Sequence, residues 1–151
     1  MSGFQPKVAD FEERVRKSFG RQPMMHTIGA SLGRIAAGEV EIAIPVAPRF
    51  CQQHGFVHAG IVTTIADTAC GYAAFSLMSA SAGVLTTEFK VNLLAPAAGE
   101  RLVAIGRVVK PGRTLTVTQG EVHAESRGVR KLVAIMTATL MAVEGREDVR
   151  D

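Results

Sequence analysis

The 151 residues predict an α+β domain: one long helix laid against a mostly antiparallel sheet of about six strands. Three observations lead there. The apolar period shortens from helical to alternating after Ile28, and alternation resumes after Gly83. Between these lies one run, Ala59 to Ala80, with neither strand alternation nor a turn residue pair. The strand-like segments follow one another through short turns, which joins them antiparallel, and a single long helix must then cover one sheet face.

The elements follow in order. Val8, Phe11, Val15 and Phe19 recur at helical spacing with charges between them, so residues 8–19 read as a short amphipathic helix, closed by Gly20 and Pro23. Val40, Ile42, Ile44 and Val46 alternate with Glu39, Glu41 and Ala43, a half-buried strand. Residues 28–37 are its expected hairpin partner, turning near Gly38. Pro45 and Pro48 end the strand, and a polar loop runs from Arg49 to His58. The run from Ala59 to Ala80 spans about six helical turns if continuous. Strands are expected at 84–94, 100–110, 114–125 and 130–143, where Thr, Val, Leu and Ile dominate. Pro96-Ala-Ala-Gly99, Lys110-Pro-Gly-Arg113 and Ser126-Arg-Gly128 separate them. One domain over residues 1–151 is expected, with residues 1–22 as a helical extension.

Composition narrows the function classes. Apolar residues are 47% and charged residues 21%, which excludes a disordered chain and a collagen-like repeat. Seventeen Lys and Arg against fourteen Asp and Glu leave a slight, scattered excess of +3, so no nucleic-acid partner is expected. The longest stretch free of Asp, Glu, Lys and Arg, Thr68 to Thr87, is too rich in Ser, Thr and Gly for a membrane span, and the first residues carry charge without an apolar signal region. A cytoplasmic protein without membrane attachment is the expectation.

On a 100° helical projection from Gly60, the residues Ile61, Val62, Ile65, Ala69, Tyr72, Ala73 and Leu77 share one broad face. Gly60, Thr63, Thr64, Asp67, Gly71 and Ala74 share the other. The bulky face is expected on the sheet, and the small one admits a second backbone or a ligand. Asp67 stands alone in this helix, with no Lys or Arg within four residues. Asp is a poor interior helix residue, and an unpaired carboxylate among apolar neighbours shifts its pKa. Catalysis is one reason to keep such a group; a solvated helix surface is the other. Upstream, Gln52-Gln-His-Gly-Phe-Val-His-Ala-Gly60 leads into the helix N-terminus, whose free N–H groups favour negative charge. An N–H at Ala59 or Gly60 can hold the oxygen of an activated carbonyl. With Gln52 and Asp67 this makes a set suited to acyl transfer.

The pattern Gln52-x5-His58-Ala59-Gly60-x6-Asp67 resembles the helix-entry motif of hotdog-fold acyl-CoA thioesterases, and most of all their phenylacetate-pathway (PaaI-like) branch. Thr87-Glu-Phe-Lys-Val-Asn-Leu-Leu-Ala-Pro96 and Val109-Lys-Pro-Gly-Arg113 are similar to the strand and turn that follow the helix there. The likeness spans roughly residues 28–143. It implies a hotdog fold and hydrolysis of an acyl-CoA substrate without a cofactor. Asp67 would be the catalytic carboxylate, as base or nucleophile. The Ala59 N–H would polarise the thioester carbonyl, Gln52 would position water or thioester, and His58 would shape the entry loop. Thr86 falls where some relatives hold a water-positioning hydroxyl. Gly60, Lys110 and Arg113 are the candidate coenzyme A contacts; Arg suits phosphate through its forked donors. The resemblance also implies a site across a homodimer interface, with a dimer of dimers as the expected tetramer. Two residues depart from the branch pattern. Ala59 replaces the middle Gly, which preserves a backbone donor wherever φ is negative. Gln52 is an amide that another branch pairs with Glu.

Other chemistries fit less well. The four His residues lack metal-ligand spacing, so no metal is expected. His26 and His123 read as ordinary surface or strand residues. Cys51 and Cys70 have no neighbouring base and read as packing residues. No Gly-x-Ser-x-Gly elbow is present. Arg127, Arg130 and Lys131 add cations at the last hairpin. Phe56, Val57 and Met78 suit an acyl pocket and a core equally. The rival readings are a hotdog dehydratase or hydratase of 3-hydroxyacyl thioesters, pairing His58 with Asp67, and a non-catalytic acyl-CoA-binding protein.

Overall fold

In the computed structural model, which describes residues 3–149, the chain begins with two helices, α1 (Phe11–Gly20) and α2 (Pro23–Thr27). The hairpin β1 (Ser31–Ala36) and β2 (Glu39–Pro45) follows, then a 3-10 turn at Pro48–Phe50 and the long helix α3 (Ala59–Phe75). Four strands close the chain: β3 (Gly83–Leu93), β4 (Arg101–Lys110), β5 (Leu115–Ser126) and β6 (Val129–Val143). All six strands form one antiparallel sheet in the order β1-β2-β4-β5-β6-β3. The α+β expectation holds, and α3 lies on one face, packed against β2 to β6.

Two facing glycines let the helix settle there. Gly106 on β4 pairs with Gly120 on β5. A Cβ added at Gly106 would stand 2.3 Å from the carbonyl of Ala69, and one at Gly120 would stand 2.9 Å from Cys70 Sγ. The centre of α3 therefore rests on bare backbone. Ile65, Ala69 and Cys70 are fully buried at that contact, with Val40, Ile42, Ile44, Leu102, Ala104 and Val122 around them. Burial pushes the Cys70 thiol up to about 11, which suits the packing role expected of it.

Four expectations are corrected. The long helix stops at Phe75, not Ala80. Ser76 ends it: its hydroxyl donates to Ala73 O at 2.7 Å and accepts the Gly38 N–H at 2.8 Å, tying the helix end to the β1–β2 turn. Ala74, assigned to the open face, is buried and shares a small cavity with Pro111, Thr116 and Ala142. The helical N-terminal segment runs past residue 22 to Thr27 and belongs to the core. Val15 is fully buried, the Phe19 and Tyr72 rings stand 6.0 Å apart, and the Arg14 guanidinium lies 3.9 Å over Phe75. The first strand starts only at Ser31, since α2 occupies the preceding residues.

Among the described residues no helix is long and apolar enough to cross a membrane.

Candidate active site

The loop before α3 is held by its own backbone. Gln52 N–H donates to Phe56 O and His58 N–H to Phe50 O, both at 2.8 Å, and Cys51 bridges Val57. Gln52 Oε1 accepts the His54 N–H, which fixes the amide against the loop. His58 is the N-cap of α3, extended at φ −60° and ψ 138°, and its Nδ1 accepts the Gly60 N–H at 2.9 Å. The cap takes the Gly60 donor. The Ala59 N–H, first of the helix, has no backbone acceptor among the described residues. Ala59 has a negative φ, since Arg127 is the one non-glycine residue described with a positive value. Replacement of the motif's middle Gly thus costs no strain, and the backbone donor persists.

Gln52, His58 and Ala59 line a cavity of about 550 Å³, walled by Phe56, Leu93 and Val133. Its wall is mostly apolar, and it opens where the helix N-terminus concentrates positive partial charge.

Asp67 lies two turns further along, in a second, smaller cavity of about 150 Å³. Thr86 on β3 donates its hydroxyl to Asp67 Oδ1 at 2.8 Å. Burial pushes the carboxyl above its ordinary 3.8, and the Thr86 hydrogen bond draws it partly back. Thr86, expected as a water-positioning hydroxyl, is thus brought to Asp67 within one chain. Ser18, Gln22, Gly71 and Tyr72 complete this cavity, and Ser18 Oγ lies 3.2 Å from Tyr72 Oη. Sequence reasoning did not reach Ser18 and Gln22. They come from α1 and the turn after it, and no local pattern announces which helix face will meet α3.

Asp67 is not brought to Ala59. Eight residues of helix separate them, about 12 Å along the axis, and they line different cavities. His58 is likewise remote from Asp67 in the same chain. Lys110 ends β4 and Arg113 follows in the next turn, where Arg113 shares cavities with Lys7, Leu77 and Pro111 beyond the C-terminal end of α3. Asp67 is midway, since Phe75 also lies eight residues away. Met78 lines a cavity at that same far end, whereas Phe56 and Val57 line the large one. Arg130 of the last hairpin is engaged by Glu125 at 3.0 Å and Glu41 at 3.8 Å. His123 sits beside Glu121 on β5 at 3.1 Å.

Among the described residues two strand edges are unpaired, those of β1 and β3. β3 ends the sheet beside β6, and Leu85, Phe89 and Leu93 on it are 43%, 45% and 54% exposed. Thr86 and Leu93, which touch the two cavities, both lie on this strand.

Known proteins resemble this chain over the same region. The family model described as the thioesterase superfamily matches residues 54–131, 78 of the 151 residues. A crystal structure of a thioesterase family protein from Silicibacter pomeroyi is 54% identical and superposes with a TM-score of 0.88, covering 89% of this chain and 99% of that one. The Escherichia coli PaaI protein of the phenylacetic acid degradation operon shares the fold at 20% identity, with a TM-score of 0.80 over 92% of this chain and 97% of that one. A protein of Halobacterium salinarum, provisionally named an esterase, is 33% identical over 101 residues. That match covers 64% of this chain and 66% of the other, just under two thirds of the relative's length.

Proposed function

The chain belongs to the thioesterase superfamily, and from that premise we propose that it hydrolyses acyl-CoA thioesters to a free acid and coenzyme A at a site shared by two copies. The observation that carries the reading is Asp67: a half-buried carboxylate, raised in pKa, held by the Thr86 hydroxyl at the edge of an open cavity.

Hydrolysis needs a polarised carbonyl, an oriented water and a base. The Ala59 N–H, with the helix dipole behind it, is aimed to receive the oxyanion. Asp67 takes a proton from water, the water oxygen bonds to the carbonyl carbon, and the tetrahedral oxyanion rests on Ala59. Its collapse breaks the C–S bond, and the departing thiolate receives the proton, giving acid and thiol. Gln52 orients the thioester, His58 holds the entry loop by capping Gly60, and Gly60 borders the pantetheine path. Arg113, beyond the C-terminal end of α3, and Lys110 at the end of β4 attract the phosphates that the long arm of coenzyme A carries outward.

About 12 Å within one chain is too far for one carbonyl to touch both groups, so the donor and the base come from different copies. The bare edge of β3 supports this. An eleven-residue edge strand with Leu85, Phe89 and Leu93 exposed invites a second strand. Two-fold pairing centred near Phe89 sets Thr86 near the partner's Asn92 and Leu85 near the partner's Leu93, bringing Asp67 of one copy toward the large cavity of the other. Pairs of such dimers would give a tetramer.

The test is a panel of acyl-CoA thioesters with released thiol measured on the wild type and Asp67→Asn together. We expect turnover by the wild type and a loss of about 100-fold or more in kcat for the variant, with KM little changed. Equal hydrolysis by both proteins would overturn the assignment of Asp67. Dehydration of a 3-hydroxyacyl-CoA without thiol release would favour the hydratase chemistry instead.

A further inference from the structure

The cations of this chain fall into two sets. On the sheet, Arg101, Arg107 and Arg130 are each held by a glutamate, at 2.9, 3.0 and 3.0 Å. Lys7 and Arg113 differ: among the described residues neither forms an ion pair or a side-chain hydrogen bond. They come from opposite ends of the sequence, yet both line one cavity of about 350 Å³ beyond the C-terminal end of α3, which is within the size range of small-molecule sites. The rest of its wall is chiefly apolar, with Phe4, Leu77 and Pro111, and Gln5 adds an amide. Phe4 is half-buried against Ala73, Leu77 and Val108, which pins the N-terminal segment to the end of α3 and to β4. That anchor sets Lys7 beside the β4–β5 turn. The turn itself is tight: a Cβ added at Gly112 would stand 2.1 Å from Leu115 O, so the backbone that presents Arg113 is fixed. Lys7 and Arg113 also line a smaller cavity of about 40 Å³, where the carboxylate of Glu144 accepts the Ser79 hydroxyl at 2.6 Å.

We propose that residues 4–7 and the β4–β5 turn together hold the nucleotide end of coenzyme A, and that through Lys7 this chain favours coenzyme A over carriers that present pantetheine alone. This rests on the acyl-CoA hydrolysis argued above and extends it from the reacting end of the substrate to the carrier. Two cations that share a cavity repel each other, and bound negative charge removes that cost. A bare phosphate leaves the apolar wall without a purpose. Phe4, Leu77 and Pro111 offer a flat base a surface, and the Gln5 amide offers its edge both a donor and an acceptor. A phosphorylated nucleoside satisfies both halves, with phosphate on Lys7 and Arg113 and the base toward Phe4. From Asp67 to Phe75 the helix spans about 12 Å, a gap that the pantetheine arm is suited to bridge between thioester and nucleotide. Phe4, Gln5 and Lys7 all precede residue 54, where the family match begins. Carrier selection is thus supplied by the N-terminal segment and chemistry by the matched region. Nucleotide contacts are made equally in the ground and transition states, so they lower KM and leave kcat alone.

The test uses the full-length protein and one acyl group, the best turned over in the panel above, carried either on coenzyme A or on pantetheine. The readout is the ratio of the two kcat/KM values. For the wild type it should be about tenfold or more in favour of coenzyme A, the worth of charge-assisted phosphate contacts. Lys7→Ala should lower the ratio by about threefold and Lys7→Glu by about tenfold, because an attraction at an exposed side chain is first lost and then reversed. The change should appear in KM for the coenzyme A thioester. Both variants should melt with the wild type, since Lys7 is exposed. Adenosine 3′,5′-bisphosphate should compete with the coenzyme A thioester, and its inhibition constant should rise about tenfold in Lys7→Glu. Inorganic phosphate at the same ionic strength should compete far less. An unchanged ratio in Lys7→Glu overturns the proposal, as does a ratio lowered through kcat. So does equal competition by inorganic phosphate, which would reduce the site to a pair of cations that hold any anion. Asp67→Asn is run beside them. If it is inactive while Lys7→Glu keeps the wild-type ratio, only this proposal falls. If Asp67→Asn stays active, or the wild type cleaves neither thioester, the hydrolytic reading beneath it falls, and equilibrium binding of coenzyme A to the wild type and Lys7→Glu still decides the nucleotide site.

Discussion

Burial raises the free energy of the ionised Asp67 carboxylate, and the Thr86 hydroxyl offsets part of that cost. Because the folded-state pKa lies above 3.8, ionisation of this group opposes folding. Its contribution is most favourable below the unfolded value and is lost as pH rises through the folded one. Asp67→Asn should therefore melt close to the wild type under acid conditions near pH 3.8 and increasingly above it as pH rises toward neutral, until the folded carboxyl is fully ionised. A series of melting curves from pH 3.5 to 8 checks this; a pH-independent difference would mean that charge burial is not the cause. The variant best suited to abolish turnover is thus expected to be the more stable protein at neutral pH. Asp67 was legible at this scale because it is the one Asp, Glu, Lys or Arg between Arg49 and Glu88. Ser18 and Gln22 were not. They depend on how α1 docks across α3, some fifty residues away, and helical spacing in α1 says which face is apolar without saying what it meets.

At the level of elements, α3 is seated by absence of side chains. Gly106 and Gly120 face each other on β4 and β5 beneath Ala69 and Cys70. Gly106→Val must displace helix backbone, not a flexible side chain, so the expected loss is about 1–3 kcal/mol or more, measured as a lower urea midpoint with unchanged slope. Loss of α3 seating would also shift Asp67 relative to Thr86 on β3. The strands were readable because each alternates and each ends at a turn rich in Pro or Gly. The end of α3 was not: residues 76–80 hold no Pro, Gly or charge, and the stop arises from Ser76 meeting the Gly38 N–H, a contact between distant segments. The long helix and its N-terminus were nonetheless set by local chemistry, since His58 caps from within its own loop.

The whole molecule raises a question that one chain cannot answer, which is how a carbonyl reaches both Ala59 and Asp67 across about 12 Å of helix. The motif spacing along the sequence signalled both groups and, once the segment is read as helix, their separation of about two turns. A site between copies predicts complementation. Ala59→Pro removes the N–H alone: proline is favoured at the first helical position, and His58, at φ −60° and ψ 138°, already has the extended backbone that a residue before proline requires. This variant should fold, dimerise and lose about 10²–10³ in kcat with the oxyanion donor. Asp67→Asn should be equally silent for want of a base. Refolded together, the two form heterodimers in which one site holds both lesions and the other holds none. With random assortment about a quarter of wild-type activity should return, from half the dimers with one intact site each. If both groups served a carbonyl within one chain, every site in the mixture would keep a lesion and no activity would reappear. Titrating the ratio of the two variants separates the cases, because recovered activity should peak at equal proportions and vanish at either pure end.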